Sequence, residues 1–213
     1  MKISYSHLVS QIKENPSIEM ISESLFQLGH EHEIDGDILN MEFTPNRGDC
    51  LSVNGLLRDL SVFYNVNFKG KIYSEKIDKL QLDFENLSQN ACPKISFLRI
   101  EIDKIPKEYN QYLNDYFMKL HLNKNNFFTD ISNYLSYETG QPTHCYDDSK
   151  INGKLVLREL EINHEFHTLL DKKINLTDKN SVFSINDEIV NLAGVVGGKS
   201  TACTLETKTV LVE

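Results

Sequence analysis

The stretch ILNMEFTPNRGDCLSVNGLLRDL, residues 38–60, decides the fold of the first part of the chain. Leu39, Met41 and Phe43 alternate with polar residues, which is the period of a strand with one buried face. Pro45 ends this strand, and Asp49 is a candidate N-cap for a helix. The helix carries apolar residues on one side: Val53, Leu56, Leu57, Leu60, Phe63 and Tyr64.

A second amphipathic helix precedes the strand, in NPSIEMISESLFQLGH, residues 15–30. Ser17 can cap its first turn and Gly29 can end it, and its apolar residues recur at helical spacing. Helix, strand and helix make one compact domain. Because the chain turns polar from Tyr73 to Asn90, we place a boundary there, with a first domain at 1–84 and a second at 85–213.

The second part mixes strands and helices. ISFLRIEI, residues 95–102, predicts a strand, and the segment after Pro106 predicts a helix. Its stripe of Tyr109, Tyr112, Leu113, Tyr116, Phe117 and Leu120 could stack on bases, but this spacing is more typical of core. TDISNYLSYETGQPTH, residues 129–144, is expected to be loop or short elements. GKLVLREL, SVFSI, EIVNLAGVV and KTVLVE then predict strands, with a tight turn at Asn186-Asp187. The fold class is therefore α+β, a small helix-strand-helix domain followed by a mixed-sheet domain.

Composition excludes several classes of protein. The 213 residues are 40% hydrophobic, and no apolar run approaches the roughly 20 residues of a membrane span, so no membrane partner and a cytoplasmic location are expected. A net charge of −9 disfavours neutralising nucleic-acid phosphates over the whole surface. Cys50, Cys92, Cys145 and Cys203 lie far apart without metal-ligand spacing, so we predict reduced thiols and no metal.

Two short stretches are candidates for chemistry. In GQPTHCYD, residues 140–147, His144 could be a base, a ligand, a positioning group or a loop histidine. Cys145 as its nucleophile is disfavoured, because neighbours on an extended chain point to opposite faces. In LAGVVGG, residues 192–198, Gly194, Gly197 and Gly198 allow positive φ or close backbone approach. A glycine-rich bend between two strands explains this stretch equally well, and it lacks the pattern of a phosphate loop.

Four blocks resemble the phenylalanyl-tRNA synthetase beta chain. TPNRGDCLSVNGLLRDL (44–60) resembles its T-P-N-R-x-D-C-L-S-x-x-G-x-x-R-(D/E) motif. DISNYLSYETGQPTHCYD (130–147) is similar to its D-x-T-N-Y segment ending in G-Q-P-x-H-A-(F/Y)-D. LAGVVGGKSTACTLETKTVLVE (192–213) and ACPKISFLRI (91–100) resemble two further segments. The chain is identified as resembling the N-terminal part of that family, with a B1-like domain and a B3/B4-like editing domain.

The resemblance implies a beta subunit that joins an alpha subunit in a heterotetramer. The alpha subunit would hold ATP, Mg²⁺ and phenylalanine, so no cofactor is expected in this chain, and tRNA would be held mostly by other parts of the complex. The beta-chain module would hydrolyse mischarged Tyr-tRNA. His144 falls on the family's editing histidine and Ser132 on a threonine hydroxyl position. Glu213 falls on a glutamate that recognises the tyrosine hydroxyl, and Gly197 on a glycine that lines the pocket.

The chain departs from the family pattern at three places. The family's Gly-Ile-Arg is replaced by His121-Leu122-Asn123, which removes an arginine contact. The OB-fold tRNA-binding domain expected after Gly29-His30-Glu31 is absent, and the chain stops at Glu213, where the family continues. We expect the isolated chain to be inactive in aminoacylation and its pocket to be truncated. The alternative is a freestanding, non-catalytic tRNA- or protein-binding module; a freestanding Tyr-tRNA hydrolase is disfavoured by the truncation.

Overall fold

A computed structural model describes residues 1–67, 74–161 and 163–213, which form two compact units. The first unit comprises Met1–Glu75, Pro106–Asn125 and Asp130–Pro142, and the second Lys76–Ile105, Asn126–Thr129 and Thr143–Glu213. Two segments predicted to follow the boundary at residue 84 thus cluster with the N-terminal residues. The division into functional domains at 1–84 and 85–213 stays a prediction, and Tyr73, where the polar linker was expected to begin, lies outside the described residues. The first unit combines α-helices with a sheet and the second consists mainly of strands, so the chain as a whole confirms the α+β class.

The first unit contains a three-stranded antiparallel sheet in the order β1-β3-β2, with β1 at Lys2–Ser4, β2 at Glu31–Asp35 and β3 at Ile38–Glu42. The predicted alternation in β3 is confirmed: Leu39 and Met41 are buried, while Glu42 is exposed. The sequence did not predict the two outer strands. Both are short, and β2 has no buried face, so neither carries a strong hydrophobic period.

Three helices alternate with these strands along the chain: α1 (Tyr5–Val9) and α2 (Ile18–Gln27) lie between β1 and β2, and α3 (Val53–Leu60) follows β3. The Ser17 hydroxyl caps α2 as predicted, and Gly29 follows the helix with φ of 80°. The predicted cap of α3 at Asp49 is wrong. Asp49 lies in a 3-10 helix (Gly48–Cys50), and the hydroxyl of Ser52 accepts the Gly55 N–H at 2.9 Å instead.

The bounds of α3 explain two side-chain environments. The 3-10 helix brings the Asp49 carbonyl so close to Gly55 that a Cβ there would lie 2.2 Å from it. The α-helix ends at Leu60, so Phe63 is 44% exposed rather than on the buried side as predicted.

Two further helices complete the first unit: α4 (Gln111–Lys119) and α5 (Phe127–Thr139), the latter belonging to this unit from Asp130 on. The aromatic stripe of α4 is core, as predicted, with Leu113 and Phe117 each 4% exposed; Tyr112, at 53%, is the exception. The expectation of loop or short elements at 129–144 is wrong for residues 129–139, which are helical, and is confirmed for residues 140–144. The Asn126 side chain accepts the Thr129 N–H at 3.1 Å in the N-cap position, so the asparagine-rich stretch starts a helix rather than a loop.

The second unit contains the remaining strands: β4 (Phe84–Asn86), β5 (Leu98–Glu101), β6 (Cys145–Asp147), β7 (Leu155–Glu161), β8 (His164–His167), β9 (Lys173–Leu176), β10 (Lys179–Ile185), β11 (Glu188–Leu192), β12 (Val196–Gly197) and β13 (Thr209–Val212). Five form a mixed sheet in the order β12-β11-β10-β7-β4, in which β4 is parallel to β7. Three form the antiparallel order β5-β13-β6, and β8 pairs with β9. The predicted mixed sheet is confirmed.

Local turn chemistry and core packing support this arrangement. Asn186 and Asp187 have φ of 48° and 68°, so the predicted tight turn joins β10 to β11 with both central residues left-handed. One buried cluster of this unit draws its side chains from both larger sheets, namely Tyr146, Leu155, Leu157, Phe183, Ile185, Val190 and Leu211. A second consists of Phe166, Leu176, Val182 and Ile189. In the described ranges, no helix is long and apolar enough to cross a bilayer.

Candidate functional site

The strand ladder places His144 and Glu213 opposite each other. β6 and β13 pair antiparallel with Cys145 facing Val212. One residue further, the His144 N–H donates to the Glu213 carbonyl at 3.2 Å and the Glu213 N–H donates to the His144 carbonyl at 2.8 Å. Residues directly opposite in such a ladder project their side chains to the same face. An imidazole and a carboxylate separated by 69 positions thus share one side of the sheet.

Tyr146 joins this pair from the same strand. It follows His144 by two residues, so its side chain lies on the same face, and the two rings meet edge to face with centroids 4.4 Å apart. The Tyr146 hydroxyl donates to Glu213 Oε2 at 2.6 Å. Asn191 on β11 donates through Nδ2 to the Tyr146 hydroxyl at 2.6 Å and to Glu213 Oε2 at 3.3 Å. The site therefore contains a buried polar network.

Sequence reasoning missed Tyr146 and Asn191. The period-2 spacing from His144 could have indicated Tyr146, because alternate residues of a strand share a face. Asn191 carries no such local signal, since it comes from another sheet and is 45 residues from Tyr146.

Gly197 borders the imidazole. It lies on β12 opposite Asn191 of β11. A Cβ built on Gly197 would stand 2.1 Å from His144 Cε1 and 2.7 Å from Nε2, distances that no real contact reaches. The glycine therefore supplies space for the ring. Gly194, with φ of 72°, supplies instead the left-handed turn that the glycine-rich stretch was expected to contain.

Burial controls the protonation of the site. It lowers the pKa of His144 to about 4, so the imidazole is neutral near pH 7. His144 Nε2 is buried and has no hydrogen-bond partner in the described part of the chain. Burial raises the pKa of Glu213, and burial together with the Glu213 carboxylate raises that of Tyr146 well above its usual value. A neutral imidazole with an unsatisfied nitrogen can accept a proton from a water or ligand in contact with it.

Cys145 lies on the other face of β6 from this network. Its Sγ contacts the Phe128 carbonyl at 3.9 Å, and burial raises its pKa to about 11. The thiol is therefore protonated near pH 7 and a poor nucleophile. This geometry agrees with the interpretation that Cys145 is not paired with His144 for catalysis.

Ser132 is the fourth predicted site residue. It lies on α5 within the first compact unit and is buried, whereas the other three residues belong to the second unit. A catalytic role for its hydroxyl stays a prediction.

The first unit contains a cluster that the sequence analysis did not predict: His30, Cys50 and Asp59, whose potential ligand atoms lie within 4.8 Å of one another. Arg47 donates to Asp59 Oδ2 at 2.5 Å and to Cys50 Sγ at 2.8 Å. His30 Nε2 lies 2.9 Å from the same Asp59 oxygen. The guanidinium already supplies the positive charge that a cation would bring, so we assign the cluster a structural role at the corner between β3 and α3.

Comparison with known proteins identifies the second half of the chain. Residues 91–213 match the family model of the B3/4 domain, which covers more than half of the sequence. The chain belongs to the B3/4 domain family. The matched range contains the whole His144–Tyr146–Asn191–Glu213 network.

Several relatives of this B3/4 protein are named beta subunits of phenylalanine--tRNA ligase. One from Wolbachia sp. subsp. Brugia malayi is 29% identical over 97% of this chain and 27% of its own length. One from Ehrlichia canis is 31% identical over 83% of this chain and 22% of its own length. Among solved structures, the chain aligns with a crystal structure of an N-terminal fragment of the phenylalanyl-tRNA synthetase beta-subunit from Pyrococcus horikoshii. The alignment covers 100% of this chain and 66% of that one, with 13% identity. Its TM-score of 0.48 is too low to support a fold assignment. The chain spans about a quarter of the length of the curated relatives.

Proposed function

We propose that this B3/4 protein acts as part of a phenylalanine--tRNA ligase beta subunit and contributes to hydrolytic editing of Tyr-tRNA. The observation that carries the proposal is the His144–Glu213 pair, in which a neutral imidazole with an unpartnered Nε2 shares a sheet face with a carboxylate. The names of the relatives support the assignment to a ligase.

The reaction is hydrolysis of the ester that joins tyrosine to the terminal ribose. Water attacks the ester carbonyl carbon, the bond from that carbon to the ribose oxygen breaks, and the free acid and free ribose hydroxyl are formed. His144 can take the proton from the attacking water and return it to the leaving ribose oxygen. A pKa of about 4 keeps the imidazole in the proton-accepting form near pH 7.

Glu213 would distinguish tyrosine from phenylalanine in the bound aminoacyl group. A carboxylate accepts hydrogen bonds, so it can bind the phenolic hydroxyl that distinguishes tyrosine from phenylalanine. Such a second site has a physical purpose, because an apolar synthetic pocket rejects an added hydroxyl by only about a hundredfold. Gly197 supplies the space that the imidazole occupies, and Ser132 is proposed to contribute a hydroxyl.

The wider assembly is part of the same proposal. An alpha subunit would hold ATP, Mg²⁺ and phenylalanine in a cytoplasmic heterotetramer, and tRNA would be bound mostly outside this chain. The 213 residues alone are expected not to charge tRNA. A second candidate, a non-catalytic tRNA- or protein-binding module, is favoured by His121-Leu122-Asn123 in place of the arginine-containing motif.

The test is deacylation of Tyr-tRNA and Phe-tRNA by the beta chain that contains these residues, assembled with its alpha partner. His144→Ala is expected to slow Tyr-tRNA hydrolysis about 100-fold or more, the usual contribution of a general base. His164→Ala, at an exposed position of the β8–β9 hairpin, is the matched control and should retain the parent rate. Equal rates for the parent and His144→Ala would remove His144 from the mechanism and favour the binding module.

A further inference from the structure

We propose that Tyr146 and Asn191 are positioning residues that hold the Glu213 carboxylate in one orientation and thereby determine selection of a phenolic side chain. This inference rests on the proposed editing function. Neither residue is placed to attack the ester. They act on the substrate through Glu213.

The first support is the way in which donors converge on the carboxylate. Within residues 1–67, 74–161 and 163–213, the hydrogen bonds that the Glu213 side chain accepts both fall on Oε2, from Tyr146 at 2.6 Å and Asn191 at 3.3 Å. Asn191 also donates to the Tyr146 hydroxyl at 2.6 Å, which closes a triangle of three polar groups. Donors that share one oxygen fix the rotation of a carboxylate about its terminal bond.

The second support is the rigidity of the two donors. Tyr146 is fully buried, and its ring packs against His144 and, with centroids 6.3 Å apart, against Phe183. Asn191 is 3% exposed and lies in β11, which is paired on both sides, with β10 and β12. Side chains locked by packing give a binding site its geometry, whereas a free glutamate samples many rotamers.

Among the described residues, the arrangement leaves the other carboxylate oxygen of Glu213, Oε1, available to accept a hydrogen bond from the substrate. A carboxylate has about four lone-pair positions, and Oε2 already accepts from two donors. An incoming phenolic O–H therefore binds most favourably at Oε1, whose direction is set by the Tyr146–Asn191 pair. A substrate without that hydroxyl gains nothing from this preorganisation, so loss of the pair should lower hydrolysis of Tyr-tRNA more than that of Phe-tRNA.

The network also gives a readout that does not depend on catalysis. Burial raises the pKa of Glu213, and the Tyr146 hydrogen bond opposes that rise. Removing the Tyr146 hydroxyl should therefore raise the pKa of Glu213 further, because the charged carboxylate loses a donor. Carbon-13 NMR of the Glu213 side-chain carboxyl in the 213-residue chain measures this, with Glu213→Gln for assignment.

The variants are Tyr146→Phe, which removes one oxygen and preserves the ring, and Asn191→Ala. Tyr64→Phe, which removes a hydroxyl bonded to Ser24 in the first unit, is the matched control. The measurements are the Glu213 titration and the ratio of kcat/KM for Tyr-tRNA over Phe-tRNA by the assembled beta chain. We expect both variants to lower the ratio about tenfold or more, the worth of a hydrogen bond to a charged group, and Tyr64→Phe to leave it unchanged.

Each outcome decides one of the two proposals. If the parent prefers Tyr-tRNA and Tyr146→Phe keeps that preference, the positioning role is overturned and the editing function stands. If the parent has no preference for Tyr-tRNA, the editing function fails, and an unchanged Glu213 titration in Tyr146→Phe then also overturns the positioning role. Should Tyr146→Phe lose its folded NMR spectrum, Asn191→Ala carries the same comparison.

Discussion

Replacing Gly197 by alanine tests the contact on which the site is built. The added Cβ would lie 2.1 Å from His144 Cε1, 2.7 Å from His144 Nε2 and 2.9 Å from Leu169 Cδ2. Leu169 can rotate its side-chain end away. His144 has less freedom, because its backbone is hydrogen-bonded to Glu213 and its ring packs on Tyr146.

The expected cost follows from this geometry. Overpacking by one methyl group in a filled site typically costs about 1–3 kcal/mol. Since 1 kcal/mol shifts the melting temperature of a protein of this size by about 2–4 °C, Gly197→Ala should melt several degrees below the parent. In a His144→Ala background the ring is gone, so the same methyl group should cost little. The coupling between the two positions should therefore exceed about 1 kcal/mol.

Thermal and urea unfolding followed by circular dichroism measure these values for the parent, both single variants and the double variant. Gly48→Ala is the control, because a Cβ there meets nothing within 4 Å and its φ is not left-handed; it should melt with the parent. The reasoning is refuted if Gly197→Ala costs the same free energy with and without the imidazole at position 144.

Three further predictions concern stability. Ser52→Ala should lower the free energy of unfolding by about 1 kcal/mol in urea titrations, because the serine caps α3. Asp49→Ala should cost clearly less, because the aspartate makes exposed ion pairs. A larger cost for Asp49→Ala would show that Asp49 is the cap after all. Asp59→Asn should lower the free energy of unfolding by about 2 kcal/mol, since it removes the negative charge that pairs with Arg47. An unchanged unfolding midpoint would contradict a structural role for this ion pair. Between pH 6.5 and 4, His144 is protonated in the unfolded chain but stays neutral in the folded one, so the free energy of unfolding should fall by about 3 kcal/mol over this range. His144→Leu should remove this fall. Identical pH profiles of stability for the parent and this variant would disprove the prediction.

Local patterns predicted those elements whose signals lie within a few residues. The alternation in β3, the serine cap of α2 and the Asn186-Asp187 turn each depend on near neighbours, and all three are confirmed. The failures have local causes as well. The polar stretch before α5 looked like a loop, although its last asparagine caps a helix, and the 3-10 helix at Gly48–Cys50 displaced the start of α3.

The candidate site was only partly predictable for a different reason. His144 and Gly197 stood out as a polar residue in a turn-prone stretch and a glycine in a bend, and Glu213 entered through the family resemblance. That these three meet depends on the pairing of β6 with β13 and of β11 with β12, which no local period encodes. Asn191 could not be predicted for the same reason, because its role depends on Tyr146, which lies 45 residues away in the sequence.

The central place of β13 bears on the order in which the protein folds during synthesis. β13 lies between β5 and β6, so neither of these strands has its neighbour until residues 209–212 emerge from the ribosome. Contacts between such distant positions also form slowly. The hairpin of β10 and β11 needs no such delay. A chain that has emerged only as far as residue 208 therefore carries the His144 imidazole without the opposing Glu213 carboxylate, and this face of the sheet forms only once β13 is present.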